Sequence, residues 1–335
     1  MKRVCIVISA LLLAIQAVAA MNIEKIDPPF WYAGMEDNEL QLMVYGKDIA
    51  HAKAGVSYPG VRISSTVKLE SDNYLLVYLQ LSDEVAPGNV KLTFEQGRRQ
   101  ITKEYELKAR AMAGSERKGF DASDALYLLM PDRFANGDPT IDSTEDTLEK
   151  ADRENLHGRH GGDLQGMIDH LDYIADLGMT AIWSTPLLLD NEPVYSYHGY
   201  ACADYYHIDP RMGTNELYRE YVAEAHKRDL KIIMDIVTNH CGIAHWWMED
   251  LPFEDWIHQF PTFTRTNALF STNMDPNASQ YDLKLQESGW FDTSMPDMNL
   301  DNPYLLQYFK QWAVWWIEWA DLDGLRVDTY PYNEK

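Results

Sequence analysis

From Ala125 onward, short apolar runs alternate with stripes at helical spacing, and few architectures accept that alternation. The runs are Ala125–Met130, Ala181–Thr185, Lys231–Val237 and Gly324–Asp328, each of strand length. The first stripe places apolar residues at 164, 167, 168, 171, 174 and 177, predicting a helix over Leu164–Leu177. Glu216–Asp229 carries Leu217, Tyr218, Tyr221, Val222 and Ala225 on one face. Asn302 as N-cap and Pro303 at the first helical position open a third helix, with Leu305, Phe309, Trp312, Trp316 and Trp319 along one side. Strands that are apolar almost throughout must be covered on both faces. The order therefore predicts a parallel α/β sheet with helices outside it.

Before Ala125 the grammar is different. Leu40–Tyr45, Asn73–Leu81 and Asn89–Phe94 are β-rich, and turn clusters at Tyr58-Pro59-Gly60 and Ala86-Pro87-Gly88 separate them. This spacing predicts a β-sandwich over residues 21–115, followed by the α/β domain over 116–335, with a linker within Ala111–Asp124. Phe30, Trp31 and Tyr32 suit either stacking on sugar rings or packing within and between domains. Between Val237 and Asn302 lie more than sixty residues rich in Trp, Phe, Pro and Asp. A connection of that length implies an inserted subdomain, at about 241–300.

The formal charge of −23 is concentrated in the second domain, where residues 119–335 hold 14 Lys and Arg against 38 Asp and Glu. Nucleic acid, which needs a basic stripe, is thereby excluded as a partner. Lys2 and Arg3, the apolar Val4–Ala14 and the small-residue Ala17-Val18-Ala19 together read as a signal peptide over residues 1–20. The apolar core is too short for a membrane span, so the expectation is an exported protein, periplasmic or secreted. Export leaves Cys202 and Cys241, which either pair or stay free.

Polar residues gather where each strand ends. The first strand runs into Pro131–Asp138, the second leads toward Tyr197-His198-Gly199-Tyr200, and the third ends in Asp235–His240. In the fourth, period-2 alternation turns Arg326 and Asp328 to the same face. Parallel α/β folds place their sites at these carboxyl ends. An arginine two residues before an aspartate holds that carboxylate ionised and aimed, as a carboxylate nucleophile requires.

Asp235-Ile236-Val237-Thr238-Asn239-His240 and Gly324-Leu325-Arg326-Val327-Asp328 resemble, in order and separation, two signature regions of the α-amylase family, glycoside hydrolase family thirteen. Met295-Pro296-Asp297-Met298-Asn299 resembles a motif of its neopullulanase and cyclomaltodextrinase branch, departing only at Met298. The resemblance implies the first half of a (β/α)8 TIM barrel with an insert after strand three, and retaining hydrolysis of α-1,4-glucans, maltooligosaccharides or cyclodextrins. Asp328 would be the nucleophile and Arg326 its orienting partner. His198, Tyr200, Asp235 and His240 would hold the sugar. Oxygen donors are dense at Asn136, Asp138, Asp142, Gly161 and Asp163, which suits Ca²⁺ and matches calcium-binding segments of the family, although Ile141 stands where an oxygen ligand is often found. An Asx-rich turn without metal is the alternative.

Retaining glycosidases need a second carboxylic acid roughly 5–5.5 Å from the nucleophile. In the family that glutamate follows the fifth strand, and four strands are counted here. The expectation is an N-terminal fragment, inactive by itself, of a longer hydrolase. A non-catalytic glucan-binding remnant and a related glucosyltransferase are the other readings. Oligomeric state leaves no trace in the sequence.

Overall fold

The computed structural model describes residues 21–111, 119–267, 271 and 274–333. The signal-peptide reading and the middle of the linker fall outside the described residues. No helix among the described residues is long and apolar enough to cross a membrane.

Eight strands form the N-terminal domain: β1 Lys25–Asp27, β2 Trp31–Tyr32, β3 Glu39–Tyr45, β4 Lys53–Ser57, β5 Val61–Lys68, β6 Tyr74–Leu81, β7 Gly88–Gln96 and β8 Arg99–Lys108. They make two four-stranded sheets, ordered β1-β3-β6-β5 and β2-β8-β7-β4, the predicted sandwich. Leu40, Leu42, Val44, Leu76 and Val77 from one sheet and Val90, Leu92 and Phe94 from the other lie in its core. β3 is buried along nearly its whole length, Gln41 and Met43 included, because its outer face is covered by the second domain. β5 and β8 did not stand out in sequence because most of their side chains face water.

The second domain opens with β9 Leu126–Leu129, followed by β10 Ala181–Ser184, a hairpin of β11 Leu188–Asp190 and β12 Cys202–Ile208, then β13 Lys231–Val237 and β14 Gly324–Asp328. The sheet order β14-β13-β10-β9 is parallel throughout, with Trp183 opposite Ile233, Asp235 opposite Arg326 and Val237 opposite Asp328. The helices are α1 Pro131–Phe134, α2 Leu164–Asp169, α3 Leu171–Asp176, α4 Asn215–His226, α5 Gln280–Ser288 in the insert, and α6 Pro303–Ala320. Asn302 caps α6 by accepting from the N–H groups of Tyr304 and Leu305.

Two expectations need correction. The single helix over 164–177 is two short helices meeting at His170, whose backbone leaves the helical region (φ −115°, ψ 13°) while its Nδ1 lies 2.8 Å from the Gly166 carbonyl. The helix expected to reach Asp229 ends at His226, and Asp229 turns the chain at φ 56°. The β11–β12 hairpin was not expected at all.

α6 joins the domains. Its Trp312 and Trp316 give their indole N–H groups to the Tyr205 carbonyl on β12. On the sandwich side, Gln311 Nε2 donates to the Gln41 carbonyl (2.7 Å) and Gln311 Oε1 accepts from the Gln41 N–H (2.8 Å). Phe30 packs on Trp315 and Trp319 at 4.9 and 5.0 Å, with the Lys108 ammonium over Phe30 and Trp319. The aromatic run at 30–32 therefore serves packing rather than sugar stacking, since Trp31 and Tyr32 are buried and Phe30 is wedged between domains. Lys25 bridges to Asp204 at 2.6 Å, and the Tyr308 hydroxyl donates to buried Asp27 at 3.0 Å. At the amino end of β14, a β-carbon on Gly324 would strike the Phe120 ring, which lies against that strand end.

Candidate active site

Arg326 stands at the centre of the strand ends. The parallel register sets Asp235 beside it on β13, and period 2 sets Asp328 two residues beyond. Arg326 Nη1 donates to Asp328 Oδ1 at 2.5 Å and to both Asp235 oxygens at 3.1 and 3.0 Å. A single guanidinium nitrogen thus ties two carboxylates together, and charge-assisted bonds of this kind are the strong ones. Asp235 Oδ2 also accepts from Trp183 Nε1 (2.9 Å) and from the Tyr200 hydroxyl (3.1 Å). Burial pushes the Asp235 carboxyl up to about 6, against the opposing pull of Trp183 and Arg326. Burial likewise raises the Tyr200 phenol, with Asp235 and Asp328 adding to it.

His198 and Tyr200 come from the loop between β11 and β12, not from the end of β10 itself. Gly199 makes that turn at φ 80°, and a β-carbon there would collide with the Pro186 carbonyl, so only glycine fits between the two rings. His198 Nδ1 accepts the Tyr200 N–H (2.9 Å) and lies 3.6 Å from buried Asp190, while burial pulls its pKa down to about 4. His240, from the segment after β13, is fully buried, and burial lowers it to about 4. Its ring stacks on Phe291 at 5.0 Å, and its Nε2 has no protein partner. Both imidazoles are therefore neutral at pH 7, able to donate one hydrogen bond and accept another.

The geometry thus brings Asp328, Arg326, Asp235 and Tyr200 into one bonded cluster, with His198 beside Tyr200 (ring centroids 5.8 Å apart). Two residues escaped the sequence reading. Trp183 was counted as strand filling, yet its N–H reaches a carboxylate and its ring lies 4.7 Å from the Arg326 guanidinium. Asp297 was quoted only within a motif. It is fully buried, accepts from Asn239 Nδ2 (2.7 Å) and shares a hydrogen bond with His258 Nδ1 (2.8 Å), pinning the insert to the end of β13, where His240 and Asp297 also form a β-bridge. Its place in the Met295–Asn299 motif was the available signal.

The candidate calcium loop lies apart from this cluster. Asp163 caps α2 and accepts from the N–H groups of Gly137, Asp138 and Gly166, while Asp138 accepts from Thr140. Asn136 Nδ2 donates to Asp142 Oδ1 at 2.7 Å, leaving the buried Asn136 Oδ1 without a partner. The Asp142 carboxylate packs on Gly161, whose φ is 82°. Cys202 and Cys241 are both buried and unpaired, on segments joined by the Gly242 N–H to Cys202 carbonyl bond.

Comparison with known proteins places both domains in a family. The alpha-amylase catalytic domain model matches residues 128–335, and the cyclomaltodextrinase N-terminal domain model matches 25–111. The chain is 34% identical over 212 residues to a cyclomaltodextrinase of Geobacillus thermopakistaniensis, covering 61% of this chain and 33% of that protein. It is 36% identical over 215 residues to neopullulanase 2 of Thermoactinomyces vulgaris, again covering 61% and 33%. Among solved structures, an Anoxybacillus alpha-amylase superposes with a TM-score of 0.54 at 36% identity, over 63% of this chain and 42% of that one. The chain spans about a third of the length of these curated relatives. The catalytic-domain model spans well over half of the chain and the N-terminal model spans its sandwich: the chain belongs to the alpha-amylase family, in the branch that carries a cyclomaltodextrinase-type N-terminal domain.

Proposed function

We propose that the protein is a retaining glycoside hydrolase acting on α-1,4-glucans, maltooligosaccharides or cyclodextrins. One observation carries this: Asp328 sits at the open end of a parallel strand, held by an arginine that a second, buried carboxylate holds in turn. In that arrangement Asp328 Oδ attacks the anomeric carbon, the glycosidic C–O bond breaks, and a glycosyl–aspartate ester forms. The leaving oxygen takes its proton from the glutamate that the family carries on a later strand, and water then hydrolyses the ester with inversion at each step. Arg326 aims Asp328 through its hydrogen bond to Oδ1. Tyr200 supplies a stacking face and His198 a hydroxyl contact at the cleaved sugar, while buried Asp235 and His240 brace Tyr200 from behind, one at its hydroxyl and the other at its backbone. The names of the relatives, cyclomaltodextrinase and neopullulanase, support the α-glucan class.

An activated 5-fluoro-α-glucosyl fluoride tests the nucleophile directly, because fluoride leaves without an acid. The expected result is a covalent sugar on the peptide containing Asp328, absent in Asp328→Asn. In the full-length protein the same substitution lowers turnover of maltoheptaose by roughly 10⁴-fold. Label on another residue, or turnover kept in Asp328→Asn, removes the assignment.

Calcium belongs to the same proposal, drawn from Asn136, Asp138, Asp142, Gly161 and Asp163. The orphaned Asn136 Oδ1 beside the Asp142 carboxylate fits an oxygen-seeking cation. Asp163 is already filled by amide donors and acts as a helix cap, so the fit rests on the Asn136–Asp142 side. Calcium at a hundred times its dissociation constant should raise stability by about 2.7 kcal/mol, and chelation should reverse this. A melting temperature indifferent to both withdraws the metal. Export is proposed on the charged, apolar and small-residue segments of residues 1–20. A mature N-terminus at Ala20 or Met21 is the expected finding.

A further inference from the structure

Trp183 lies one layer below the cluster. The register sets it opposite Ile233, two residues before Asp235 on the same face of the sheet, and its indole reaches up to that carboxylate. The other indoles with hydrogen bonds in this domain, Trp290, Trp312 and Trp316, donate to backbone carbonyls. Among the described residues, Trp183 is the indole that gives its N–H to a carboxylate. The same ring lies under the Arg326 guanidinium. A packing role alone asks for the ring and does not ask for this second contact.

The donor count shows what the contact does. Arg326 Nη1 carries two hydrogens and faces three carboxylate oxygens, two on Asp235 and one on Asp328. How its bonds divide depends on where Asp235 and the guanidinium plane are held. Trp183 fixes both at once: the N–H fixes Asp235 Oδ2, and the indole face fixes the plane. Among the described residues, the other donors to that oxygen are Arg326 and Tyr200, and Tyr200 comes from the β11–β12 loop rather than from the sheet.

We propose that Trp183 is a positioning residue for the nucleophile, acting through Asp235 and Arg326 so that the Arg326 hydrogen bond to Asp328 keeps one direction. This rests on the reading of Asp328 as nucleophile. The groups facing Asp235 are Trp183 from β10, Tyr200 from the hairpin loop, and Arg326 and Asp328 from β14. Since Asp235 titrates near 6, the Trp183 N–H also reports its charge.

Two variants separate the two contacts. Trp183→Phe keeps a ring beneath Arg326 and removes the N–H, and Trp183→Leu removes both. In the whole chain, labelling by 5-fluoro-α-glucosyl fluoride should slow about 10- to 100-fold in Trp183→Phe, the cost of a small misplacement of a reacting group, and further in Trp183→Leu. The reagent concentration giving half-maximal rate should stay within about twofold. By ¹⁵N NMR, the indole signal missing from Trp183→Phe should move with pH with a midpoint near 6, and lose that movement in Asp235→Asn. Wild-type labelling rates in both variants overturn the proposal, as does an indole signal indifferent to Asp235. Absence of label in the wild-type chain instead removes the nucleophile reading, and the NMR titration then shows whether the Trp183–Asp235 bond exists without it.

Discussion

His245 has no room to be charged. It is buried among Tyr205, Trp246 and Trp247, its Nδ1 accepts the Trp247 N–H at 3.1 Å, and its Nε2 has no partner. Burial holds its pKa down at about 3. A histidine depressed in the fold contributes stability that is present above its unfolded pKa of about 6.5 and is lost as pH falls below it. At pH 5 the loss from this one group is about 2 kcal/mol. His245→Asn keeps an acceptor for Trp247, so its melting temperature should fall less than that of the wild type between pH 7 and pH 5. Parallel falls in the two proteins would show that the imidazole is not the group titrating. At this scale, much of the site was legible. Arg326 and Asp328 could be placed on one face because strand alternation is strict. Trp183 could not, because a tryptophan in an apolar strand looks like filling until the neighbouring strand's register is known. The hydrogen bond between His258 and Asp297, across an insert of irregular backbone, was beyond any local pattern.

Elements with strong local chemistry were read correctly, and those held by tertiary contacts were not. α6 was predicted from its cap, its proline and its aromatic stripe, and Asn302 does cap it, while also donating to Asp255 at 2.9 Å. Asn302→Ala should therefore cost about 1–2 kcal/mol in urea unfolding, near the upper end for an N-cap. A change under about 0.3 kcal/mol would mean that packing alone sets the helix start. The break at His170 has no local signal, since the apolar stripe runs through it. There a side chain competes for a helical carbonyl, as polar residues do where the backbone can turn. The β11–β12 hairpin was hidden for another reason. Its first strand has three residues, and eleven residues of loop carrying His198 and Tyr200 separate it from the second.

The two domains share one helix. α6 buries Trp312 and Trp316 toward β12 and presents Gln311, Trp315 and Trp319 toward the sandwich, so neither domain has a complete surface without it. Gln311→Leu leaves the N–H and carbonyl of Gln41 buried and unpaired, at about 1–3 kcal/mol for each orphaned group. The variant should unfold in two separated steps where the wild type unfolds in one, and a single wild-type-like transition would show that the aromatic contacts suffice. Sequence periodicity indicated two domains but not this seam, because a buried glutamine pair looks polar and exposed when read along the chain. Phe120 carries a last consequence. Its ring sits at the vacant side of Gly324, eight residues before the stretch that matches the catalytic-domain family. The strand bearing Arg326 and Asp328 thus packs at its amino end on a residue outside the recognisable domain. Borders drawn by sequence kinship and by packing differ here, and a graft that respected only the first would leave that strand end bare of its aromatic neighbour.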